Sequence, residues 1–131
     1  MLLKKLNIAS STQNLKFEDV PTPEFGEGAE IRVQRINVMG QLRLGELSAI
    51  IDEAKVKDTN KENLLRMTAN LMCVMVDEDG EYLIPENNIE GTLQTLDNSG
   101  VFFRLITANN NVNTVDAEFT DETLDQAKKN S

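Results

Sequence analysis

Histidine and tryptophan are absent from the 131-residue chain, which has one cysteine and one tyrosine. Without histidine there is no Ser-His-Asp triad, no imidazole metal ligand and no ordinary general base near neutrality. A lone cysteine makes neither an internal disulfide nor a structural zinc site. Cys73 lies within "NLMCVMV" (70–76), with no base beside it. It reads as a buried packing thiol of a reducing compartment, not a nucleophile. No G-x-x-x-x-G-K-[ST] run occurs, and "GEGAE" (26–30) lacks the spacing of a dinucleotide loop, so no cofactor and no catalysis are expected. Long apolar runs are missing too. "MLLKKLNIASSTQ" at the start has no signal-peptide core, and nothing approaches the roughly 18 apolar residues of a membrane span. The expected location is the cytoplasm.

Positive charge is scarce. Thirteen Lys and Arg face 22 Asp and Glu, for a net charge of −9. That balance argues against nucleic acid, whose binding runs on cations neutralising phosphates, and against anionic membranes. It favours solubility and basic or amphipathic partners. Aromatics are few, so the core must come from Leu, Ile, Val and Met. The length fits one domain that buries enough surface to need no staples.

Residues 1–16 carry little pattern and read as a mobile N-terminal arm. "KFEDVPTPEFGEGAEIRVQRI" (16–36) reads as a β-hairpin. Pro21 and Pro23 confine the first strand to an edge, "GEG" turns, and Ile31 and Val33 alternate with Arg32 and Gln34. Residues 39–55 follow a helical period through Leu44, Leu47, Ile51 and Ala54, with Gly45 either a weak point or a place of close backbone approach. Thr59 and Glu62 form a T-x-x-E capping box before a second helix, 60–76, whose last residues (71–76) are apolar all round and hence buried in the centre or at an interface. "YLIP" fits one short strand. Ile89, Leu93 and Leu96 fit a short helix. Ser99 caps a last helix, "GVFFRLITAN", followed by a polar linker, and residues 114–131 form a polar tail with a frayed helix from Thr120. The fold class is α+β: an N-terminal β-hairpin, then a small mainly helical domain of three to four helices spanning 17–113.

"VDEDGEYLIPENN" (76–88) gathers five carboxylates around Gly80. A calcium loop started at Asp77 puts glycine at position 4 and Asn88 at position 12, so both key places fail. With Gly80 at position 6, the first ligand is Met75, which has no oxygen, and Pro85 stands where a helix should begin. The stretch reads as a solvated turn, with no metal. Four of the five methionines (Met39, Met67, Met72, Met75) lie in or beside helices. They fit core filling, and they also fit an adaptable groove for partner helices.

The order of these features, "F-x-D-V-P-T-P-E-F-G-x-G-x-x-I-R-V-Q-R-I", a helix, a capped helix running into "M-V-D-E-D-G-E-Y-L-I", and a last amphipathic "VFFRLITANNNVN", resembles the tail assembly chaperones of long-tailed, non-contractile bacteriophages of the lambdoid type. The resemblance covers residues 16–113, and the Phe25-Gly26 turn and the "VDEDGEYL" turn carry most of it. It implies a non-catalytic morphogenesis factor. Such a factor binds the tape measure protein, and holds it soluble until tail tube protein polymerises around it. It self-associates, also with a longer frameshifted form, and works in the host cell cytoplasm without joining the mature virion. The codons of Ala127 to Lys129 can spell a slip-prone A AAA AAG run. Partner binding or self-association is assigned to Leu44, Leu47, Ile51, Leu71, Met72, Met75, Phe102 and Phe103. Two other classes fit the composition: a small acidic adaptor or inhibitor, and a structural tail or connector component. A charge mimic would line its acids along one face, whereas these sit mainly at turns and helix starts.

Overall fold

Strand β1 (Phe17–Pro21) pairs antiparallel with β2 (Glu30–Gln34), from Phe17 opposite Gln34 to Pro21 opposite Glu30. This is the expected hairpin. Its tip is a 3-10 turn, Pro23–Phe25, closed by hydrogen bonds from Phe25 N–H to Thr22 O and from Gly26 N–H to Pro23 O. The computed structural model describes residues 16–113. The arm before Lys16, the tail 114–131 and the Ala127–Lys129 run lie outside the described residues.

Helix α1 (Val38–Ala54) starts at Asn37, whose side chain accepts from Gly40 N–H. Helix α2 (Thr59–Met72) starts one residue earlier than the capping box predicts. Asp58 holds the extended backbone of an N-cap and accepts from Asn60 and Lys61 N–H, while Glu62 takes an ion pair with Arg66 at 3.1 Å. Asp and Thr stand side by side and both can cap, and the chain enters the helix after the carboxylate.

The larger correction concerns 71–76. Helix α2 stops at Met72, Cys73 and Val74 turn, and Met75–Val76 form a third strand, β3. It pairs antiparallel with β2, with Val33 opposite Met75 and Arg32 opposite Val76. The sheet order is β1-β2-β3. An apolar run of six residues carries no period that separates helix from strand. The run is apolar all round because it enters the middle of the molecule between the hairpin and the helices.

The acidic stretch is a turn. Asp77 Oδ1 accepts from the N–H groups of Asp79 and Glu81, Gly80 N–H reaches Asp77 O, and Gly80 takes φ 81°, which a side chain disfavours. "YLIP" contributes a single bridge, Tyr82 to Val76. Helix α3 (Ile89–Asn98) is capped by Asn88. Ser99 closes α3 through its hydroxyl, which donates to Thr95 O and Leu96 O, and does not cap the next helix. Helix α4 (Phe102–Asn113) runs through "NNNVN", expected to be linker, because Val112 is buried and Asn113 is tied down. The Asn113 side chain accepts from Ile36 N–H at 3.0 Å and donates to Gln34 O at 3.4 Å.

Two apolar clusters result. One joins Val20, Ile31, Val33, Leu71, Met75, Phe102 and Leu105 between the sheet and α4. The other joins Leu47, Ile51, Leu65, Ala69, Met72 and Ile89 among α1, α2 and α3. Ile36, Ile84 and Leu93 pack against both. Among the described residues the architecture is α+β, with three antiparallel strands and four α-helices.

Candidate protein-binding surface

Six of the eight residues assigned to partner contact build the core. Leu47, Ile51 and Met72 belong to the helical cluster, and Leu71, Met75 and Phe102 to the sheet cluster. Leu44 is half-buried against the helical cluster, and Phe103 is exposed, its ring edge-to-face with Phe102 at 5.2 Å. The period that singled out Leu44, Leu47 and Ile51 is the inner face of α1.

Helix α1 has a second apolar stripe, on its outer side. Val38, Leu42, Gly45 and Ala49 recur at steps of four, three and four, which keeps them in line on a helix. Met39 and Ile50 flank them. Val38 is 72% exposed, Met39 66% and Leu42 60%. Glu46 and Glu53 lie on the same side and are exposed.

The inner face is locked, which is what presents the outer one. Arg43 is buried and donates to three carbonyls: Met72 O at 2.8 Å, Ile84 O at 2.6 Å and Glu86 O at 3.2 Å. Its guanidinium also stands 4.4 Å from the centre of the Tyr82 ring. One residue thus joins α1 to the end of α2 and to the segment before α3. Close approach belongs to Gly40, not Gly45. A Cβ on Gly40 would sit 3.0 Å from Cys73 O and 3.0 Å from Ile36 Cγ1, while one on Gly45 would meet nothing within 4 Å. Burial pushes the Cys73 thiol up to about 11, with Arg43 opposing, so it stays protonated at neutral pH.

The hairpin tip forms a second feature. Arg104 on α4 reaches back to it, donating to Glu24 at 2.8 and 3.0 Å and to Pro21 O at 3.0 Å. Arg32 forks onto Asp19 at 2.7 and 3.0 Å and lies 4.0 Å over the Phe17 ring. These guanidiniums hold both carboxyls below their ordinary values. Between the tip, β3 and α3 an apolar cavity of about 320 Å³ opens to the surface.

The outer stripe of α1 was present in the sequence as a second helical series, and Arg43 as a lone cation on an apolar face. The cavity had no sequence signal, because it joins residues from four separate segments. Among the described residues no group of three or more His, Cys, Asp or Glu is placed to hold a metal, and no helix is long and apolar enough to cross a membrane.

The fold is that of a hairpin extended by a short third strand and covered by helices, with the apolar α1 stripe left outward. The solved structure of the tail assembly chaperone of bacteriophage HK97 is similar to it. The two share a TM-score of 0.51 over 80% of this chain and 95% of that one, at 15% sequence identity. The chain therefore has a tail-assembly-chaperone-like fold. No protein-family model matches the sequence, and no curated protein matches it.

Proposed function

We propose that this protein is a phage tail assembly chaperone. It binds the tape measure protein during tail morphogenesis, and tail tube protein as a second partner, without catalysing a reaction. It self-associates, also with a longer frameshifted form, and acts in the host cytoplasm without joining the virion. The observation that carries this reading is the likeness to the HK97 chaperone over nearly all of that protein's length. The outer α1 stripe supplies the physical means: an amphipathic helix of the partner lies along Val38, Leu42 and Ala49, in a helix-on-helix contact. The acidic surface keeps such a complex soluble.

The test is an affinity pull-down of the tagged full chain from cells in which the phage is active. A very long, helix-rich phage protein is expected in the eluate. Leu42→Glu should remove it, since it sets a charge in the middle of the stripe, and should leave the melting temperature within a few degrees because Leu42 is exposed. Recovery of a host regulator alone would replace the chaperone reading with that of an acidic adaptor.

A further inference from the structure

The cavity beside the hairpin tip is apolar and partly open. Phe25, Ile31, Met75, Leu83 and Leu96 line it, and Thr22 closes one wall. Phe25 and Leu83 at its rim are 46% and 41% exposed. Thr22 is 0% exposed, and its hydroxyl finds no hydrogen-bond partner, the one such buried side-chain atom among the described residues. Its backbone is fully engaged, bonding Ala29 O and Phe25 N–H. A buried hydroxyl without a partner is costly, and buried polar groups are normally paired within the protein or with ordered water, so this one stands out.

An acidic groove adjoins the cavity and shares Glu30 and Leu83 with it. Asp19, Asp77 and Glu78 complete it, and Arg32 is its single cation. That guanidinium is already forked onto Asp19. The groove is left negative next to an apolar hole.

We infer that this cavity and groove together form a docking site for a partner segment with an aromatic anchor, Trp or Tyr, followed closely by Lys or Arg. The ring fills the apolar hole. Its N–H or O–H meets the Thr22 hydroxyl once the exposed rim side chains Phe25 and Leu83 give way, since that hydroxyl is sealed in the free chain, and an aliphatic anchor would leave it unpaired. The cations settle on Glu30 and Glu78. A second copy of this chain does not fit: it has no tryptophan, its single tyrosine, Tyr82, is held against Arg43, and its net charge is −9. The site is separate from the α1 stripe and does not depend on the chaperone reading.

The absence of tryptophan makes the test direct, because the fluorescence of a Trp peptide is then unobscured. The full chain is titrated with the peptide Ac-GSWGKKG-amide, and with versions carrying Leu for Trp or Glu-Glu for Lys-Lys. Amide chemical shifts are followed in parallel. The expected result is a saturable blue shift of Trp emission, with shift changes gathered at Ile31, Leu83 and Leu96. The Glu-Glu peptide should bind about tenfold more weakly. The double variant Glu30→Lys with Glu78→Lys should reverse that preference. Thr22→Val keeps shape and fold, and should cut the Trp-over-Leu preference by about tenfold. Absence of saturation, shifts gathered on α1, or indifference to peptide charge would each overturn the inference. An unchanged Trp-over-Leu ratio in Thr22→Val would remove the hydroxyl from it.

Discussion

At the scale of the residue, the two glycines of α1 separate backbone cost from packing need. Gly45 sits on the exposed face with open space around it, so it only weakens the helix. Gly45→Ala should stabilise the protein by about 0.5–1 kcal/mol. Gly40 is buried against Cys73 O, a backbone atom that cannot step aside. Gly40→Ala should destabilise by about 1–3 kcal/mol. Urea unfolding of the two variants checks both signs at once, and equal shifts would mean that α1 does not sit so close to the α2–β3 turn. Residue types announced this only in part. A glycine within a helical period is visible in sequence, but which of two glycines faces a neighbour's carbonyl is a fact of docking. The same holds for caps. Asp58 and Thr59 are both competent, and one residue of phase decides between them.

At the scale of the element, periodicity was a good guide where one face alone was apolar and a poor one where both were. The hairpin was legible from Ile31 and Val33 alternating with polar neighbours. Helix α1 was legible as a helix, but its inner and outer stripes are both apolar, so spacing could not say which would be covered. The leucines at 44 and 47 turned inward, and Val38, Met39 and Leu42 stayed outside. Strand β3 was hidden because its two residues continue the apolar end of α2 without a break. The Asn-rich end of α4 looked like linker, yet Asn113 uses its amide to satisfy Ile36 N–H and Gln34 O. Arg43 binds these elements into one body. Arg43→Met removes the donors to three carbonyls at the junction of α1, α2 and the segment before α3. The loss should be about 2–4 kcal/mol, read as a lower urea midpoint. Limited proteolysis should find residues 77–88 opened first. Arg43→Lys should recover part of the loss, since an ammonium reaches fewer carbonyls than the fork does.

At the scale of the whole molecule, ion pairs at the surface bridge the same elements that the core joins from within. Asp19–Arg32 spans the hairpin, Glu24–Arg104 ties its tip to α4, Arg66–Asp52 links α1 to α2, and Lys61–Glu90 links α2 to α3. All are at least partly exposed, so each contributes little in isolation. Their pH dependence has a definite sign. The Asp19 carboxyl is lowered from 3.8 by its hydrogen bond to Arg32, and the Glu24 carboxyl from 4.5 by its hydrogen bond to Arg104. Lowered carboxyls stabilise the fold above their ordinary values, and that contribution is lost as the pH falls through and below those values. The stability difference between the wild type and the double variant Asp19→Asn with Glu24→Gln should therefore be present at pH 7 and vanish in acid. Urea midpoints measured from pH 7 down to about pH 2 would show it. A difference that persisted unchanged into acid would mean that the pairs act through packing and not charge.

The third strand bears on how the chain reaches this state. The hairpin closes over a short turn, but β3 joins it only across the span that holds all of α1 and α2, since Val33 pairs with Met75. Non-local pairing of this kind waits on loop closure and slows folding. The inner sheet face waits longer still, because Phe102 and Leu105, which cover it, come from the last described helix. During synthesis the ribosome releases Ile31, Val33 and the run 71–76 well before their cover exists. A nascent chain paused before Phe102 would present a half-finished sheet with an open edge and a bare apolar side, the form most prone to pair with its neighbours on a polysome.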